Sequence, residues 1–372
     1  MEKIKILQIN KLYYPAIGGI ERVVQYIAEG LKEKTEMSVL TCVPRGKGKR
    51  EVIHGIPVHR CTTFGTLFSL PISLSFLFAL RKEAKDKDIL QFHAPFPLGD
   101  LACLLSGYRG KVVLYWHSDV VKQKKLMYLY RPIMERFLRR VDVIITSAYG
   151  NISGSSYLGP YKDKCVVIPF AVSKEVEARG KEYLLSAVPE TERQTRFLFV
   201  GRLVYYKGVD VLLRAFERLS EGELTIIGSG PLEAELKEFV RAHDLEKRVH
   251  FLGQVSEEEL YRQFAECDVF VLPSVAKSEA FGLVQLEAMA YGKPVINTWL
   301  SSGVPEVSLN GQTGITVKPG DAEELSQAMD RLAVDVQLRQ RMGKAARTRL
   351  EQEFTFDVMM NRMMELYERL AR

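Results

Sequence analysis

The chain has 372 residues, enough for two domains of ordinary size, and its 47% hydrophobic and 26% charged residues are typical of a soluble globular protein. Its net charge of +6 suits an anionic ligand or a membrane surface and is too small to indicate nucleic-acid binding. The five cysteines are scattered and form no CxxC pair, which argues against a zinc site or a disulfide framework and favours a reduced, cytoplasmic compartment. The first residues enter a strand directly, so no secretory signal is expected.

Short apolar runs alternate with helical patterns along the chain. The first series of predicted strands comprises residues 4–9, 38–43, 89–92, 112–116, 143–146 and 166–168. The second series comprises residues 196–200, 224–227, 249–252, 269–272 and 295–297. Strands that alternate with helices of this length indicate parallel sheets covered on both faces. We therefore predict an α/β fold of two Rossmann-like, doubly wound domains that face each other across a cleft.

The predicted domains are residues 1–172 and 196–354, joined by a charged, weakly periodic linker at 173–195. Residues 355–372 have apolar positions at helical spacing, which predicts an amphipathic helix that packs back across the linker onto the first domain. The stretch 61–80 carries no charge, but it contains several Ser and Thr residues, a Gly and a Pro. This composition favours a buried or interface-lying helix over a membrane span.

Candidate site residues lie in loops that follow predicted strands, where open α/β sheets bind ligands. In loop 10–21, Gly18 and Gly19 begin a helix, which predicts either a phosphate-binding turn or only a tight strand-to-helix turn. In loop 200–208, Arg202 and Lys207 precede the next helix. Two cations at a helix end suit a diphosphate, and a solvated surface pair is the alternative.

Two further loops carry weaker signals. Gly228 and Gly230 lie in a strand-to-helix loop without the third glycine of a dinucleotide fingerprint, so packing explains them equally well. His117 ends the strand 112–116 and is well placed for a reacting sugar or acid, and His93 ends a neighbouring run with the same topology. The alternative for each histidine is a structural role.

The most informative stretch is 278–288, which follows the buried run 269–272. It places Glu279 and Glu287 eight positions apart, on either side of a Phe-Gly turn that leads into a helix. Glu279 is thereby expected at the sheet edge, beside the free backbone N–H groups of a helix start. Asp86 and Asp88 have a metal-like spacing but precede their strand, so we predict a solvated turn there and expect neither a metal site nor a cofactor.

Together these motifs resemble the retaining glycosyltransferases of the two-domain GT-B fold, in the branch called family four. The resemblance extends from residue 4 to about residue 370 and is most specific at Glu279 and Glu287, joined to the loop with Arg202 and Lys207. It implies that Arg202 and Lys207 hold the donor diphosphate, that Glu287 accepts from ribose hydroxyls and that Glu279 holds the donor sugar. The implied donor-binding residues are Gly18, Gly19, Arg202, Lys207, Gly228, Gly230, Glu279, Ala280, Phe281, Gly282, Leu283 and Glu287.

Residues 116–124 are similar to a narrower subgroup of bacterial polysaccharide enzymes, many of them mannosyltransferases. That resemblance implies GDP-mannose as the donor and a lipid-linked oligosaccharide as the acceptor. His117 would lie near the anomeric carbon, with Glu279, Arg202 and Lys207 as the other catalytic residues. The residues expected on the acceptor side are Tyr13, His93, Asp119 and Lys122. The implied reaction is a same-face attack by the acceptor hydroxyl, with retention at the anomeric carbon and without a metal ion.

One departure from the family pattern is Ser302, where many relatives have glycine; it leaves the donor contacts there open. Alternatives are a UDP- or dTDP-sugar-dependent enzyme of the same fold and, from other classes, a nucleotide-sugar epimerase or phosphorylase, or a non-catalytic donor-binding partner subunit. Basic residues beside the apolar stretch suit an anionic membrane surface or only a solvated helix face. The expected location is cytoplasmic, with peripheral attachment to the inner face of the cell membrane as the extended hypothesis.

Overall fold

The computed structural model of the chain describes residues 2–16, 18–67, 70–119, 124–186 and 193–372, with the backbone alone for 124–127. The chain divides into two compact units. The first unit comprises Met1–Ser147, Ser155–Ile168 and Met360–Arg372, and the second comprises Ala148–Gly154 and Pro169–Met359.

The first unit is built on an eight-stranded sheet and a short hairpin. Its strands are β1 (Lys5–Ile9), β2 (Glu36–Cys42), β3 (Lys49–Ile53), β4 (Ile56–Cys61), β5 (Gly65–Leu67), β6 (Leu70–Ile72), β7 (Ile89–Ala94), β8 (Lys111–Trp116), β9 (Val143–Thr146) and β10 (Cys165–Val167). The large sheet has the order β10-β9-β8-β7-β1-β2-β4-β3, and β5 pairs with β6. The sheet is parallel except for β3, which runs antiparallel to β4 at the edge.

The helices of the first unit are α1 (Gly19–Leu31), α2 (Ser75–Glu83), α3 (Pro97–Ser106) and α4 (Lys124–Arg140), with a 3-10 turn at Ala84–Asp86 and another at Gly159–Lys164. Helix α1 is amphipathic, and it buries Val23, Val24 and Ile27 because residues three and four apart share one helix face. The central strands are buried along their whole length, as in sheets covered by helices on both faces.

The second unit has a six-stranded, wholly parallel sheet in the order β13-β12-β11-β14-β15-β16. Its strands are β11 (Arg196–Val200), β12 (Glu223–Ile227), β13 (Val249–Gly253), β14 (Val269–Val271), β15 (Val295–Thr298) and β16 (Gly314–Val317). The remaining helices are α5 (Tyr149–Ser153), α6 (Lys174–Ser186), α7 (Val209–Phe216), α8 (Glu233–Ala242), α9 (Glu257–Glu266), α10 (Val284–Ala290), α11 (Val304–Val307), α12 (Ala322–Val334), α13 (Val336–Glu353) and α14 (Phe356–Ala371). Helix α14 begins in the second unit, and its residues from Met360 onward belong to the first.

Each large sheet has one point at which the strand order reverses. In the first unit β1 pairs with both β2 and β7, and in the second unit β11 pairs with both β12 and β14. Open α/β sheets bind ligands at the carboxyl ends of the strands beside such a point. The predicted α/β fold with two Rossmann-like units is confirmed, and every strand predicted from the sequence is present.

The unit boundaries differ from the predicted ones, because residues 148–154, 169–195 and 355–359 all belong to the second unit. Residues 148–154 belong to the second unit, because the Glu306 carboxylate accepts from the backbone N–H of Tyr149 at 3.0 Å and from that of Gly150. The region expected to be a linker contains α6, which packs so closely on α10 that a Cβ at Gly180 would overlap the Ala290 carbonyl group. This helix is therefore an integral part of the second unit.

The apolar stretch 61–80 is not one helix, and the expectation of a buried or interface-lying helix there is wrong for its first part. Strand β4 ends at Cys61, the β5–β6 hairpin follows, and α2 begins only at Ser75; residues 68–69 lie outside the described part. Pro71 favours an edge strand because it has no N–H for a helix or a central ladder. Within the described ranges of the chain, none of the helices is both long and apolar enough to span a bilayer.

Candidate active site

An ion pair lies at the strand-order reversal of the second unit. Lys207 ends the 3-10 turn Tyr205–Lys207 after β11, and Glu279 lies in the loop after β14. The Lys207 Nζ and a Glu279 carboxylate oxygen are 2.5 Å apart, and the two side chains are only 12% and 11% exposed. Ser274 also donates its hydroxyl to that oxygen at 3.4 Å. The structure thus brings together two residues that the sequence analysis placed at one site.

The two loops that carry this pair are joined through their backbones. The N–H of Val275 donates to the carbonyl oxygen of Tyr206 at 2.9 Å. Gly208 has a φ of +65°, and a Cβ there would overlap the carbonyl oxygen of Pro273. Only glycine fits this close, left-handed position, so Gly208 allows the loop after β11 to lie directly on the loop after β14.

Gly228 and Gly230 have a packing role. A Cβ at Gly228 would overlap the carbonyl oxygen of Gly201, and a Cβ at Gly230 would overlap that of Leu203. The N–H of Leu203 also donates to the carbonyl oxygen of Ser229 at 3.0 Å. These glycines support the loop that carries Arg202, and their predicted contact with the donor stays a prediction.

Arg202 is exposed, and its charge and that of Glu279 both act on the hydroxyl of Tyr206. Burial raises the pKa of the Tyr206 hydroxyl, the charge of Glu279 raises it further, and the charge of Arg202 lowers it. Both charged groups therefore act on the same phenol. The loop after β11 therefore carries an accessible guanidinium and a largely buried ammonium group.

The Phe-Gly turn between the two glutamates is anchored by burial of its aromatic ring. Phe281 is 3% exposed and packs edge-on against Phe170, with ring centroids 5.1 Å apart. Gly282 has a φ of +73°, and the carbonyl oxygen of Ala280 accepts from the N–H of Gly303 at 2.8 Å. Leu283 precedes α10, the first turn of which contains Glu287. The turn thereby fixes the start of α10 next to Glu279.

Glu287 is partly buried, and its charge contributes to the raised pKa values of Tyr261 and Tyr291, for which burial is the larger cause. Ser302 is 2% exposed, and its hydroxyl accepts from the N–H of Val304 at 3.4 Å. The serine that departs from the family pattern therefore bonds to the first N–H group of α11.

In the first unit, the two predicted histidines bond to each other at the ends of β7 and β8. The His93 Nδ1 and the His117 Nε2 are 3.0 Å apart, and the His93 Nε2 is 2.8 Å from the Gln8 side-chain oxygen. His93 is fully buried and His117 is 6% exposed. His93 thus lies behind His117 instead of at a surface where it could line an acceptor site.

The environment keeps both imidazoles neutral. Burial lowers the pKa of His93 well below its ordinary value, and the neighbouring His117 lowers it further. Burial also lowers the pKa of His117 to about 3, with a further contribution from the charge of Lys11. The ring of His117 stacks on that of Tyr115 at a centroid distance of 4.7 Å and an interplanar angle of 6°. The structure therefore presents a neutral, rigidly oriented imidazole.

Of the other residues expected on the acceptor side, Asp119 has structural partners, Tyr13 is buried and Lys122 lies outside the described part. The Asp119 carboxylate accepts from the Trp116 indole at 3.2 Å and from the Ser155 hydroxyl at 2.7 Å, so it holds the loop after β8. Tyr13 is fully buried, and burial raises the pKa of its hydroxyl. Lys122 lies outside the described residues.

Gly18 and Gly19 differ in the space around them. Gly18 precedes α1 in an extended conformation, and a Cβ there would meet the Glu21 carboxylate. Gly19 is the first residue of α1, and a Cβ there would meet no atom of the described residues within 4 Å. Packing among the described residues therefore does not explain why this position is glycine.

No metal-binding cluster of three or more His, Cys, Asp or Glu side chains is found among the described residues. The Asp88 carboxylate accepts from the Lys5 N–H at 2.8 Å, and Asp86 lies 3.4 Å from the Lys87 ammonium group. These two aspartates therefore have local structural partners. All five cysteines are free thiols.

The polar groups behind His117 are functional candidates that the sequence did not predict. Tyr367, in α14, accepts from the Gln8 side-chain amide at 3.1 Å and donates to the Gln91 side-chain oxygen at 2.5 Å. A signal was present, because polar or aromatic residues alternate within buried strands at Gln91 and His93 and at Tyr115 and His117. Such residues point to one face of the sheet.

Two family models cover most of the chain. Residues 17–174 match "Glycosyltransferase Family 4", and residues 184–349 match "Glycosyl transferases group 1". The fold, the residues at the two strand-order reversals and these matches show that the chain belongs to this family of glycosyltransferases.

Among individual proteins, the chain is similar over nearly its whole length to two curated relatives. It is 34% identical to O-antigen chain mannosyltransferase C of Escherichia coli, with 98% of each chain covered. It is also 34% identical to D-rhamnosyltransferase WbpZ of Pseudomonas aeruginosa, with 94% of this chain and 92% of that protein covered. A solved glycosyltransferase structure from Rickettsia africae has the same fold, with a TM-score of 0.78, 20% identity and 100% of each chain covered. These likenesses support a role in O-antigen or related polysaccharide synthesis.

Proposed function

We propose that this glycosyltransferase moves mannose from GDP-mannose to a hydroxyl of a lipid-linked oligosaccharide, with retention at the anomeric carbon and without a divalent cation. The observation that carries the proposal is the Lys207–Glu279 pair, 2.5 Å apart at the strand-order reversal of the second unit. A cation and a carboxylate at this edge supply one group for a diphosphate oxygen and one for sugar hydroxyls. The similarity to a mannosyltransferase over 98% of the chain supports mannose as the sugar.

The leaving group of the proposed reaction is a nucleoside diphosphate, which gains negative charge as the bond to the sugar breaks. Arg202 and Lys207 are suited to stabilise that charge, Arg202 as a fork of N–H donors and Lys207 as a point charge. Each hydrogen bond to a charged group contributes about 1.5–3 kcal/mol. Two cations thereby take the part that a divalent ion plays in other transferases.

The sugar carbon gains positive character at the same time. The Glu279 carboxylate suits the sugar hydroxyls near that carbon. A neutral His117 can exchange hydrogen bonds with a hydroxyl without placing another positive charge beside it, and its pKa of about 3 keeps it neutral at physiological pH. The acceptor hydroxyl attacks the face from which the diphosphate departs, and its proton passes to a departing phosphate oxygen.

A second candidate sugar is D-rhamnose, because the chain is equally identical to a D-rhamnosyltransferase. D-rhamnose is mannose without the 6-hydroxyl group, so both relatives favour a sugar of the same ring configuration. A site that hydrogen-bonds the 6-hydroxyl would reject the deoxy sugar by a factor of about 10⁴. The ratio of turnover with the two donors therefore reports whether the 6-hydroxyl is recognised.

The test is release of nucleoside diphosphate from a panel of donors: GDP-mannose, GDP-D-rhamnose, UDP-glucose and dTDP-glucose, each with and without EDTA. We expect GDP release from GDP-mannose that EDTA does not change, and loss of about a hundredfold in the Arg202→Ala variant. Arg214→Ala, which removes another exposed arginine from the second unit, is the matched control. Turnover of the UDP or dTDP sugar alone would overturn the proposed donor. No turnover of any donor would favour a non-catalytic subunit.

We further propose that the first unit contacts an anionic membrane surface, where a lipid-linked acceptor resides. Phe64, beside the β5–β6 hairpin, and Phe78, in α2, are 71% and 76% exposed. Arg81 and Lys82 are exposed at the end of α2. Exposed apolar side chains beside basic ones bind anionic lipid, and each basic residue adds about 1 kcal/mol near the surface.

Vesicle sedimentation tests this surface. We expect binding to anionic vesicles at low salt that weakens at high salt and falls in the Phe78→Ser variant. Leu185→Ser, which changes a side chain that is 81% exposed in the second unit, is the matched control and should bind like the unchanged protein. Equal binding of the two variants would contradict this surface, and no binding at low salt would end the membrane proposal.

A further inference from the structure

A continuous chain of buried hydrogen bonds leads from His117 to the C-terminal helix α14. It passes from His117 to His93 at 3.0 Å, from His93 to Gln8 at 2.8 Å and from Gln8 to Tyr367 at 3.1 Å. Tyr367 in turn donates to the Gln91 side-chain oxygen at 2.5 Å. All these side chains belong to the first unit and are 6% exposed or less.

The strand register explains why these groups meet. Gln8 lies opposite Gln91 in the β1–β7 pair, and His93 lies opposite Tyr115 in the β7–β8 pair. Residues two apart in a strand share one face, so the polar groups of three neighbouring strands project onto the same side of the sheet. Tyr367, in α14, lies on that side of the sheet and is fully buried there.

The chemistry of the donors and acceptors fixes where each proton lies. A side-chain amide oxygen can only accept, so the 2.8 Å contact with Gln8 places the hydrogen on the His93 Nε2. The Gln91 side-chain nitrogen also faces this atom, but at 3.5 Å it is at the limit of hydrogen-bond distance, so the shorter contact decides the tautomer. The His93 Nδ1 then has a lone pair and accepts from the His117 Nε2–H. The Nδ1 of His117 is therefore the ring nitrogen with the lone pair. The nitrogen of the Gln8 side-chain amide donates to the Tyr367 hydroxyl, and this bond holds the amide in its orientation.

We propose that Tyr367, Gln8 and His93 are positioning residues that fix the tautomer and the ring orientation of His117, so that α14 determines whether the Nδ1 of His117 accepts or donates a hydrogen bond. The inference rests on the proposed role of His117 in the reaction. The first two residues act through His93, and none of the three is required to touch substrate. Loss of the Tyr367 hydroxyl frees the Gln8 amide to rotate, which offers an N–H to His93 in place of an oxygen and reverses both imidazole tautomers.

The test compares three variants by donor turnover and by ¹⁵N NMR of labelled imidazole. Tyr367→Phe removes only the hydroxyl group, and we expect kcat to fall about tenfold with an unchanged KM for the donor. The NMR signals should show that the proton of His117 is no longer confined to Nε2. Tyr108→Phe is the matched control, because its hydroxyl also bonds within the first unit, to the carbonyl oxygens of Lys87 and Asp88. This control should change neither kcat nor the His117 tautomer.

A conservative replacement of His93 separates positioning from folding. His93→Asn keeps an acceptor near the place of Nδ1 and should retain more activity than His93→Leu, which has none. Equal losses in these two variants, or a Tyr367→Phe protein with the kcat and the NMR signals of Tyr108→Phe, would overturn the inference. His117→Ala tests the proposed function separately. Full turnover in that variant would remove His117 from the reaction, whereas the tautomer measurement does not depend on the donor.

Discussion

At the scale of single residues, Arg202 and Lys207 are both assigned to the diphosphate, but they differ in burial. Lys207 is 12% exposed and paired with Glu279, whereas Arg202 is exposed. Removal of one partner of a largely buried ion pair leaves the other charge uncompensated, while removal of an exposed side chain has little effect on folding. Substitution of the two residues therefore distinguishes an effect on donor binding from an effect on folding stability.

We predict that Lys207→Ala lowers the free energy of unfolding by about 3 kcal/mol, because among the described residues the Glu279 carboxylate would keep only its bond from Ser274. Arg202→Ala should change that free energy by less than about 0.5 kcal/mol while it lowers turnover about a hundredfold. Urea unfolding followed by circular dichroism measures the first quantity. Equal stability of the two variants would contradict the buried pair.

Gly19 allows a steric test of donor binding, since a Cβ at this position would contact none of the residues that the structure describes. We predict that Gly19→Ala leaves the melting temperature unchanged and raises the KM for the donor about tenfold, because the methyl group would occupy space that the diphosphate needs. Gly159→Ala, at another open glycine of the first unit, is the matched control. A donor KM that is the same in both variants would contradict a role of Gly19 in binding.

Gly228 should behave in the opposite way. It has a φ of +127°, and a Cβ there would overlap the carbonyl oxygen of Gly201. We expect Gly228→Ala to lower the free energy of unfolding by about 1–3 kcal/mol, since backbone strain and overpacking both oppose folding. A stable variant with weakened donor binding would instead favour direct contact between Gly228 and the donor.

At the scale of elements, the central strands could be predicted because they are short, continuous apolar runs. Those runs arise from burial on both faces of a parallel sheet. The edge strand β3 could not, because its residues Lys49–Ile53 are mostly polar and partly exposed, so no apolar pattern marks them. The β5–β6 hairpin could not be predicted because it lies in a stretch without charged residues, and apolar character alone does not distinguish a hairpin from a helix.

The candidate site likewise contains some contacts that could be predicted from the sequence and others that could not. Lys207 and Glu279 could be placed together from the sequence, because both follow parallel strands, and the carboxyl ends of such strands meet at one edge. The contact of Gln91 with Tyr367 joins residues 276 positions apart, and no local pattern predicts it. The packing role of Gly228 and Gly230 also depends on a neighbouring loop that approaches their backbone.

The hydrogen-bonded His93 and His117, at the ends of β7 and β8, make the free energy of unfolding depend on pH. Burial lowers the pKa values of His93 and His117, so the unfolded chain binds these protons more readily than the folded chain. The stability that comes from the neutral pair is present above about pH 6.5 and is lost as the pH falls towards 3. Asp100 acts in the opposite direction, because burial raises the pKa of its carboxyl to about 7.

A comparison of variants isolates the histidine contribution. We predict that the free energy of unfolding falls less between about pH 7 and pH 5 in a His93→Asn/His117→Asn double variant than in the unchanged protein, because asparagine does not titrate. Asp100 is present in both proteins, so its effect cancels. Urea unfolding at several pH values measures the difference, and parallel curves would show that the two histidines are not held neutral by the fold.

At the scale of the whole molecule, the chain crosses between its units several times. Residues 148–154 join the second unit, and the residues from Met360 onward return to the first. The return places Met363, Leu366 and Tyr367 in buried positions, which explains why the last segment of the sequence has apolar residues at helical spacing. The C-terminal helix from Met360 onward is therefore part of the core of the first unit.

In the proposed function, the second unit of this family four glycosyltransferase holds the diphosphate of a nucleotide sugar. The most direct measurement is a crystal structure of the protein soaked with GDP-mannose. We expect diphosphate oxygens hydrogen-bonded to Arg202 and Lys207, with a mannose hydroxyl on the Glu279 carboxylate. A nucleotide bound elsewhere on the chain, or a diphosphate that touches neither cation, would contradict the proposed function.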